Sequence, residues 1–246
     1  MAPNQFLGEL LGTAILILLG NGVVAGALLN KSKSNGSGWI VITAGWAFAV
    51  MAGVFVAAAT GSPQADLNPA VTIGKMVMGG TTMNDGLIRI AGEMVGAIIG
   101  AILVFITYYQ HWAETSDPGL KLACYSTGPA IRNPFWNFVT EVVGTFVLMF
   151  VIFCIFAKVG ATGGNPAPGV GPYLVAMLVW GVGLSLGGPT GYALNPARDL
   201  GPRIMHAIMP IKGKGPSDWG YAWIPVFAPI AGGICGCLAA VAMLPK

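Results

Sequence analysis

Long apolar stretches follow one another along the chain, and their lengths give the first indication of its structure. A helix that crosses about 30 Å of hydrocarbon needs roughly 20 consecutive, mostly apolar residues. Six stretches reach or approach that length: residues 6–29, 39–60, 87–109, 135–157, 173–186 and 219–244. Charged residues are rare within them, and the first and fourth stretches each carry one acid, Glu9 and Glu141. The pattern predicts an all-α membrane protein with six transmembrane helices.

Two further apolar segments, residues 67–78 and 194–208, are too short to cross a bilayer. The same tripeptide stands near the start of each, at Asn68-Pro69-Ala70 and at Asn195-Pro196-Ala197. Proline suits the first position of a helix, because the N–H that it lacks would have no partner there. Asparagine is a favourable residue for the preceding N-cap. The sequence therefore predicts two re-entrant half-helices that begin at these tripeptides.

The order span, span, half-helix, span occurs twice, and residue patterns recur with it. The first span carries Glu9, Gly12 and Thr13, and the fourth carries Glu141, Gly144 and Thr145 at the same spacing. A glycine pair likewise recurs in the third and sixth spans, at Gly96 and Gly100 and at Gly232 and Gly236. We therefore expect one domain, residues 1–246, with a first repeat of about residues 1–118 and a second of about residues 119–246.

Three spans in each repeat have a geometric consequence. Because three is odd, the second repeat enters the membrane from the opposite side, and the two repeats are inverted. Inverted repeats place the functional site near the midplane, where interrupted helices meet. Non-helical backbone at this depth is tolerated where it is buried or lines a water-filled cavity. The sequence thus predicts an inverted 3+3 arrangement around a central pore.

Composition supports this interpretation and excludes other classes of protein. Hydrophobic residues make up 55% of the chain and charged residues 9%, against roughly 25% charged residues in soluble domains. A net charge of +3 is too small to indicate a nucleic-acid partner. The four cysteines fit packing positions, and neither a metal-ligand set nor a nucleophile–His–acid set is evident. We expect no enzyme, metal or cofactor. Aromatic residues near the span ends are expected at the lipid–water interfaces: Trp39, Tyr108, Tyr109, Trp112, Trp136, Tyr173 and Trp219.

These features resemble the major intrinsic protein (aquaporin) superfamily over essentially the whole chain. The paired tripeptides and the acids Glu9 and Glu141 carry the resemblance, and Asp199 directly after Arg198 is similar to the glycerol-conducting branch. A third Asn-Pro-Ala copy, residues 165–167, lies in a Gly/Pro-rich loop and is interpreted as a chance occurrence. The resemblance implies an aquaglyceroporin, a homotetramer with one pore per subunit, in the cytoplasmic membrane with both termini cytoplasmic. The short termini favour a bacterial source.

The resemblance also implies a set of pore residues. The side chains of Asn68 and Asn195 would donate N–H groups into the pore, where two positive helix ends oppose cations and protons. A narrower filter would be formed by Trp46, Gly183, Tyr192 and Arg198. Gly183 would leave room where water-selective relatives carry histidine, whereas Tyr192 departs from the usual phenylalanine. The position of Trp46 assumes that residues 62–64 are a short insertion after the second span.

Three acids have more than one interpretation. Glu9 and Glu141 could relay protons, but their symmetric placement favours acceptance of N–H groups from the re-entrant loops. Asp66 stands where relatives usually carry histidine. If it lines the pore, it would disfavour anions, and a protonated hydroxy acid such as lactic acid would still pass.

The expected function is passive passage of glycerol, with water, urea, dihydroxyacetone and hydrogen peroxide as further candidates. A water-selective aquaporin is the nearest alternative, and an inverted-repeat secondary transporter is a more distant one. Lys and Arg in the loops point weakly to the opposite orientation from the family's.

Overall fold

The computed structural model describes residues 4–161 and 169–244, apart from the side chains of residues 158–161. The third Asn-Pro-Ala copy therefore lies outside the described residues. In the described ranges the chain forms these helices in order: α1 (Gln5–Leu28), α2 (Trp39–Thr60), α3 (Pro69–Val77), α4 (Met83–Thr107), α5 (Tyr109–Glu114), α6 (Pro118–Ala123), α7 (Pro134–Ala161), α8 (Val170–Leu186), α9 (Pro196–Ile208) and α10 (Ile224–Met243).

The six predicted spans correspond to α1, α2, α4, α7, α8 and α10. Five of these are long and apolar enough to cross a membrane, and α8, with 17 residues, is the shorter sixth. The predicted start of the last span at residue 219 is wrong, because residues 219–223 form successive turns and the helix begins at Ile224, with Pro225 in its first turn. Helix α4 starts before residue 87, because Thr82 caps it by accepting a hydrogen bond from the N–H of Asp85.

The two halves of the molecule use the same packing scheme. Helix α1 packs against α2 and α4, and α7 packs against α8 and α10. Each half-helix packs against the other half, α3 against α10 and α9 against α4. Because each half-helix packs against a helix of the opposite half, these contacts hold the two halves together.

The recurrent glycines allow the closest of these helix contacts. A Cβ atom at Gly96 would lie 2.3 Å from the carbonyl oxygen of Leu10, and one at Gly232 would lie 2.3 Å from that of Val142. Both distances are far inside van der Waals contact, so α4 could not approach α1, nor α10 approach α7, with a larger residue. Small residues of this kind let helix backbones pack closely where lipid offers no hydrophobic incentive to associate.

One predicted interface aromatic is instead part of the core. Trp112 is 2% exposed, donates its indole N–H to the carbonyl oxygen of Phe105 and packs beside Tyr125. Its short helix, α5, directly follows α4 after Tyr108, and the apolar pattern could not indicate that its Trp112 side chain reaches back to α4. Trp136 and Trp219 are more than half exposed, as expected for residues at the membrane surface.

Candidate pore and selectivity filter

Both Asn-Pro-Ala tripeptides begin a half-helix in the same way. The side-chain oxygen of Asn68 accepts a hydrogen bond from the N–H of Ala70 at 2.9 Å, and Pro69 takes the first helical position. The side-chain oxygen of Asn195 accepts from the N–H groups of Ala197 and Arg198 at 2.9 and 3.2 Å. Pro196 is the first residue of α9. The asparagines are therefore fixed as N-caps, and their amide nitrogens point away from their own helices.

The two half-helices meet through these amide nitrogens. Asn68 Nδ2 donates to the carbonyl oxygen of Leu194 at 2.9 Å, and Asn195 Nδ2 donates to that of Leu67 at 2.7 Å. An amide nitrogen carries two hydrogens, so each asparagine retains a second donor. Both asparagines line one cavity, which also contacts the loops before the half-helices and is called the main cavity below. The site therefore offers two fixed donors at the positive ends of two helices.

The loops that lead into the half-helices have matching, unfavourable backbone conformations. Positive φ angles occur one and three residues before each asparagine: 43° at Ala65, 53° at Leu67, 39° at Tyr192 and 55° at Leu194. Residues with a side chain rarely adopt this region, and each such residue costs of order 1–3 kcal/mol. Surrounding contacts must therefore hold both loops in place.

Two buried acids supply those contacts. Glu9 accepts hydrogen bonds from the N–H groups of Asp66 and Leu67 at 3.0 and 2.8 Å. Glu141 accepts from those of Ala193 and Leu194 at 2.9 and 3.1 Å. The side chains are almost completely buried, and their oxygens face the loop backbone. These contacts favour the interpretation as structural acceptors over that as a proton relay.

The main cavity has a volume of about 300 Å³ and combines apolar and polar lining residues. Its apolar lining comes from α1, α2, α7 and α8: Leu16, Val50, Val54, Leu148, Ile152, Phe156, Val175 and Val179. Its polar lining includes Asn68, Asn195 and Arg198, which stand at the starts of the half-helices. A second cavity of about 310 Å³ shares three lining residues with the first: Trp46, Tyr192 and Arg198. These three residues therefore stand where one cavity gives way to the other.

The geometry of the three shared residues suits a filter. The guanidinium carbon of Arg198 lies 4.1 Å from the centre of the Trp46 ring, in cation–π contact. Arg198 Nη1 and the hydroxyl of Tyr192 are buried without a hydrogen-bond partner among the described residues. Buried polar groups normally have partners. A solute or water molecule in the pore would supply hydrogen-bond partners for both groups, and it would lie beside the apolar face of the Trp46 indole.

Gly183 was expected to line the filter directly, but in the structure it lies behind Tyr192. It is absent from the described residues that line the two cavities, because the ring of Tyr192 covers it. A Cβ at Gly183 would lie 2.9 Å from Tyr192 Cζ. Trp39 completes this support, since its indole N–H donates to the carbonyl oxygen of Gly183 at 3.0 Å and its ring packs edge-on against Tyr192. Gly183 thus makes room for Tyr192, which in turn faces the solute path.

The expectation that Asp66 would repel anions is also revised. Its carboxylate is fully buried and forms ion pairs with Lys75 and with Arg89, the latter at 3.1 Å. The Thr72 hydroxyl lies 3.1 Å from the same carboxylate. Lys75 and Arg89 therefore compensate the negative charge of Asp66 within the protein, and Lys75 itself lines the main cavity. Residues 62–64 lie in the loop after the end of α2, and their interpretation as an insertion stays a prediction.

Asp199 lies behind the filter and does not line either cavity in the described structure. It accepts hydrogen bonds from the N–H and hydroxyl groups of Thr127, both at 2.7 Å, and from Arg203 Nε at 2.8 Å. Arg203 also donates to the carbonyl oxygens of Thr127 and Ser217. Asp199 therefore ties a surface loop to α9. Sequence reasoning missed Arg203, although an Arg four residues after an Asp on a helix is a recognisable pair.

Three acids converge beside α3. Oxygens of Glu9, Asp66 and Glu93 lie within 4.8 Å of one another, although the residues are far apart in the sequence. The oxygens of Asp66 already contact two cations, and Glu9 accepts a third hydrogen bond, from the hydroxyl of Ser62. This group is therefore poorly suited to bind a metal ion. Glu93 was not recognised as a site residue; the signal was an acid within an otherwise apolar span.

The comparisons with known proteins agree with this geometry. The family model described as "Major intrinsic protein" matches residues 2–240, and the chain belongs to that family. The chain is 51% identical over 234 residues to glycerol uptake facilitator protein 3 of Lactiplantibacillus plantarum, which covers 95% of this chain and 94% of the relative. It is 50% identical over 233 residues to a probable glycerol uptake facilitator protein of Thermotoga maritima, covering 95% and 96%.

A solved structure agrees as well. The X-ray structure of the aquaglyceroporin from Plasmodium falciparum superimposes with a TM-score of 0.81 at 27% sequence identity, covering 96% of this chain and 93% of that one. The chain is thus a multi-pass membrane protein of the aquaporin fold, from a family of channels. The expected family and fold class are confirmed.

Proposed function

We propose that the protein is a passive transmembrane channel for glycerol and other small neutral solutes. The observation that carries this proposal is the lining of the main cavity, which combines apolar side chains from four helices with the donors of Asn68, Asn195 and Arg198. Relatives that are about half identical over nearly the whole chain are named as glycerol uptake facilitators.

The chemistry of glycerol matches the apolar and the polar lining of the cavity. Its carbon edge fits against the Trp46 indole, while its hydroxyl oxygens accept from Arg198 and then from the asparagine amides. Backbone carbonyls in the loops before the half-helices accept the hydroxyl hydrogens. Each hydrogen bond to water that a polyol loses on entry is thereby replaced, so the barrier to entry stays low.

Ions meet a different environment on the same path. The apolar lining residues offer no ligands to replace a hydration shell, and the loss of that shell without compensation is costly. Arg198 and the positive ends of α3 and α9 also repel cations and protons. The channel therefore passes neutral solutes and excludes ions.

A light-scattering assay tests the proposal. Liposomes that contain the protein are mixed with a glycerol gradient or with a sorbitol gradient. Fast reswelling in glycerol, absent in sorbitol and proportional to the gradient, is expected. In a Gly183→Leu variant the new side chain pushes Tyr192 into the path and slows glycerol entry. Gly181→Leu on the same helix, where a Cβ would meet open space, is the matched control and should conduct normally.

Two outcomes of this assay favour other functions. Saturating glycerol flux would indicate a transporter with alternating access. Water flux without glycerol entry would indicate a water-selective pore, in which the Tyr192 hydroxyl narrows the filter.

Other small neutral molecules are proposed to pass as well. Urea, dihydroxyacetone, hydrogen peroxide and water are no wider than glycerol and present similar acceptors. Protonated lactic acid is also of glycerol size, and it carries no charge for the pore to repel. Its flux should rise as the pH falls toward the pKa of the acid; a flux that does not rise contradicts this part of the proposal.

We also propose a homotetramer in the cytoplasmic membrane, with both termini cytoplasmic and one pore per subunit. Exposed apolar side chains on the outer helix faces, such as Phe48, Phe227 and Leu238, would be covered by lipid or by neighbouring subunits. Native mass spectrometry in detergent should give four times the subunit mass. A Lys33→Cys variant should react with an impermeant maleimide added outside the cell; reaction that requires lysis would reverse the orientation.

A further inference from the structure

The contacts of Glu93 define its protonation state. Glu93 is fully buried in α4, and its Oε1 atom lies 2.7 Å from the Thr72 hydroxyl. The same hydroxyl lies 3.1 Å from Asp66 Oδ2. A threonine hydroxyl carries one hydrogen, so it can donate to one of these carboxyl oxygens and must accept from the other. Both contacts are hydrogen bonds only when one of the two carboxyl groups carries a proton.

The surrounding charges place that proton on Glu93. Asp66 contacts both Lys75 and Arg89, which stabilise an ionised carboxylate. Glu93 contacts no cation in the described part of the chain, and its Oε2 atom is buried without a hydrogen-bond partner there. The nearby carboxylate of Glu9 accepts three hydrogen bonds, as an ionised acid does, and its charge opposes a second one beside it.

We propose that Glu93 is a neutral carboxylic acid and a positioning residue for the pore asparagine Asn68. The chain of hydrogen bonds runs in one direction: Glu93 donates to Thr72, and Thr72 donates to Asp66. Thr72 lies in the first turn of α3, four residues after Asn68. The bond from α4 thus fixes the half-helix whose N-cap donates into the pore. This inference rests on the proposed role of Asn68 in the channel.

The amide of glutamine has the shape of a protonated carboxyl group and also donates a hydrogen bond, but it cannot ionise. Substitutions can therefore test whether Glu93 acts as a neutral donor or as a charged carboxylate. In Glu93→Gln the amide N–H donates to Thr72, and glycerol flux should stay within about twofold of the native value. In Glu93→Leu the donor is lost, and flux per inserted protein should fall by up to about tenfold, the effect of one buried hydrogen bond. Thr72→Val removes the same bond from the other side and should show a similar loss.

Infrared spectroscopy reads the protonation state directly and does not depend on flux. The native protein at neutral pH should show the carbonyl stretch of a protonated carboxylic acid, and the band should be lost in Glu93→Gln. The chain has nine Asp and Glu residues, so the difference spectrum can be assigned. Glu114→Gln, at an exposed acid on α5 that pairs with Lys31, is the control and should change neither the band nor the flux.

Each outcome decides between the proposals. A spectrum that is unchanged in Glu93→Gln overturns the neutral acid. An equal fall of flux in Glu93→Gln and Glu93→Leu would show that the native carboxyl group itself is needed. Native flux in both variants would show that the hydrogen bond from α4 does not position α3. Either result overturns the positioning role. Native protein without glycerol flux contradicts the proposed function instead, and the infrared result still stands.

Discussion

The half-helices α3 and α9 begin with the same tripeptide but differ three and four residues after the asparagine. Val71 and Thr72 occupy these positions in α3, whereas Arg198 and Asp199 occupy them in α9. Up to that point the two regions share their construction. Each has an asparagine N-cap, a proline after it, two positive φ angles before it and a buried glutamate that holds the loop.

The shared features build the meeting point, and the differences build the selectivity. Two equivalent asparagines are needed to hold the half-helices end to end, which requires the same geometry on both sides. A filter is needed at one point of the path, so one arginine is enough. At α3 the polar side chains of Asp66, Thr72 and Glu93 contact one another within the protein. At α9, in contrast, the Arg198 side chain lines the cavity. The structure thus separates a symmetric scaffold from an asymmetric filter.

The largest expected difference between the two regions concerns their buried ion pairs. Among the described residues, Asp199 forms an ion pair with Arg203, whereas Asp66 pairs with both Lys75 and Arg89. Arg203→Met leaves a fully buried carboxylate without a cation and should cost about 3–5 kcal/mol of unfolding free energy. Arg89→Met leaves Lys75 in place and should cost about 1–2 kcal/mol. Chemical unfolding in detergent micelles measures both, and equal losses would contradict the difference.

The next expected effect concerns the filter. Arg198→Val gives α9 the residue that α3 carries at Val71. Removal of the fixed charge and its bulk should raise proton leak by about tenfold or more, equivalent to about 1.4 kcal/mol of lost barrier, and should admit polyols longer than glycerol. A pH-sensitive dye inside liposomes and reswelling in erythritol give the two readings. Unchanged exclusion of protons and of erythritol would show that Arg198 does not form the filter.

A smaller effect is expected in the scaffold. Ser62 donates a third hydrogen bond to Glu9, at 2.6 Å. Ser62→Ala should lower the unfolding free energy by about 1–2 kcal/mol, the usual contribution of a hydrogen bond to a charged group. Glycerol flux should remain unchanged, because the two backbone N–H groups still hold the loop. Flux that drops together with stability would mean that the loop depends on Ser62 for its shape.

The smallest effect is expected at Tyr192. Tyr192→Phe removes a hydroxyl that has no hydrogen-bond partner in the described structure, and the ring still packs against Trp39 and Gly183. Glycerol flux should change by less than about threefold, with a shift of preference from water toward glycerol, and stability should stay within about 1 kcal/mol. A large loss of either would indicate that the hydroxyl binds the solute in an essential way.

Sequence reasoning identified the scaffold because its signals are local or periodic. Span lengths, the tripeptides and the recurring glycines all follow from residue order alone. The cluster around Glu93 could not be found in this way, since Glu9, Asp66 and Glu93 meet only after three helices pack. The place of Gly183 behind Tyr192 likewise depends on the path of the loop, which no local pattern specifies. The division into repeats at about residue 118 stays a prediction.

Structure determination with bound glycerol tests the central claim most directly. The account predicts one glycerol with its carbon edge on the Trp46 ring and a hydroxyl on Arg198, and another that accepts from Asn68 and Asn195 together. Glycerol density that avoids these residues, or a path closed by Tyr192 in a protein that still conducts glycerol, would contradict the filter and the pore proposed here.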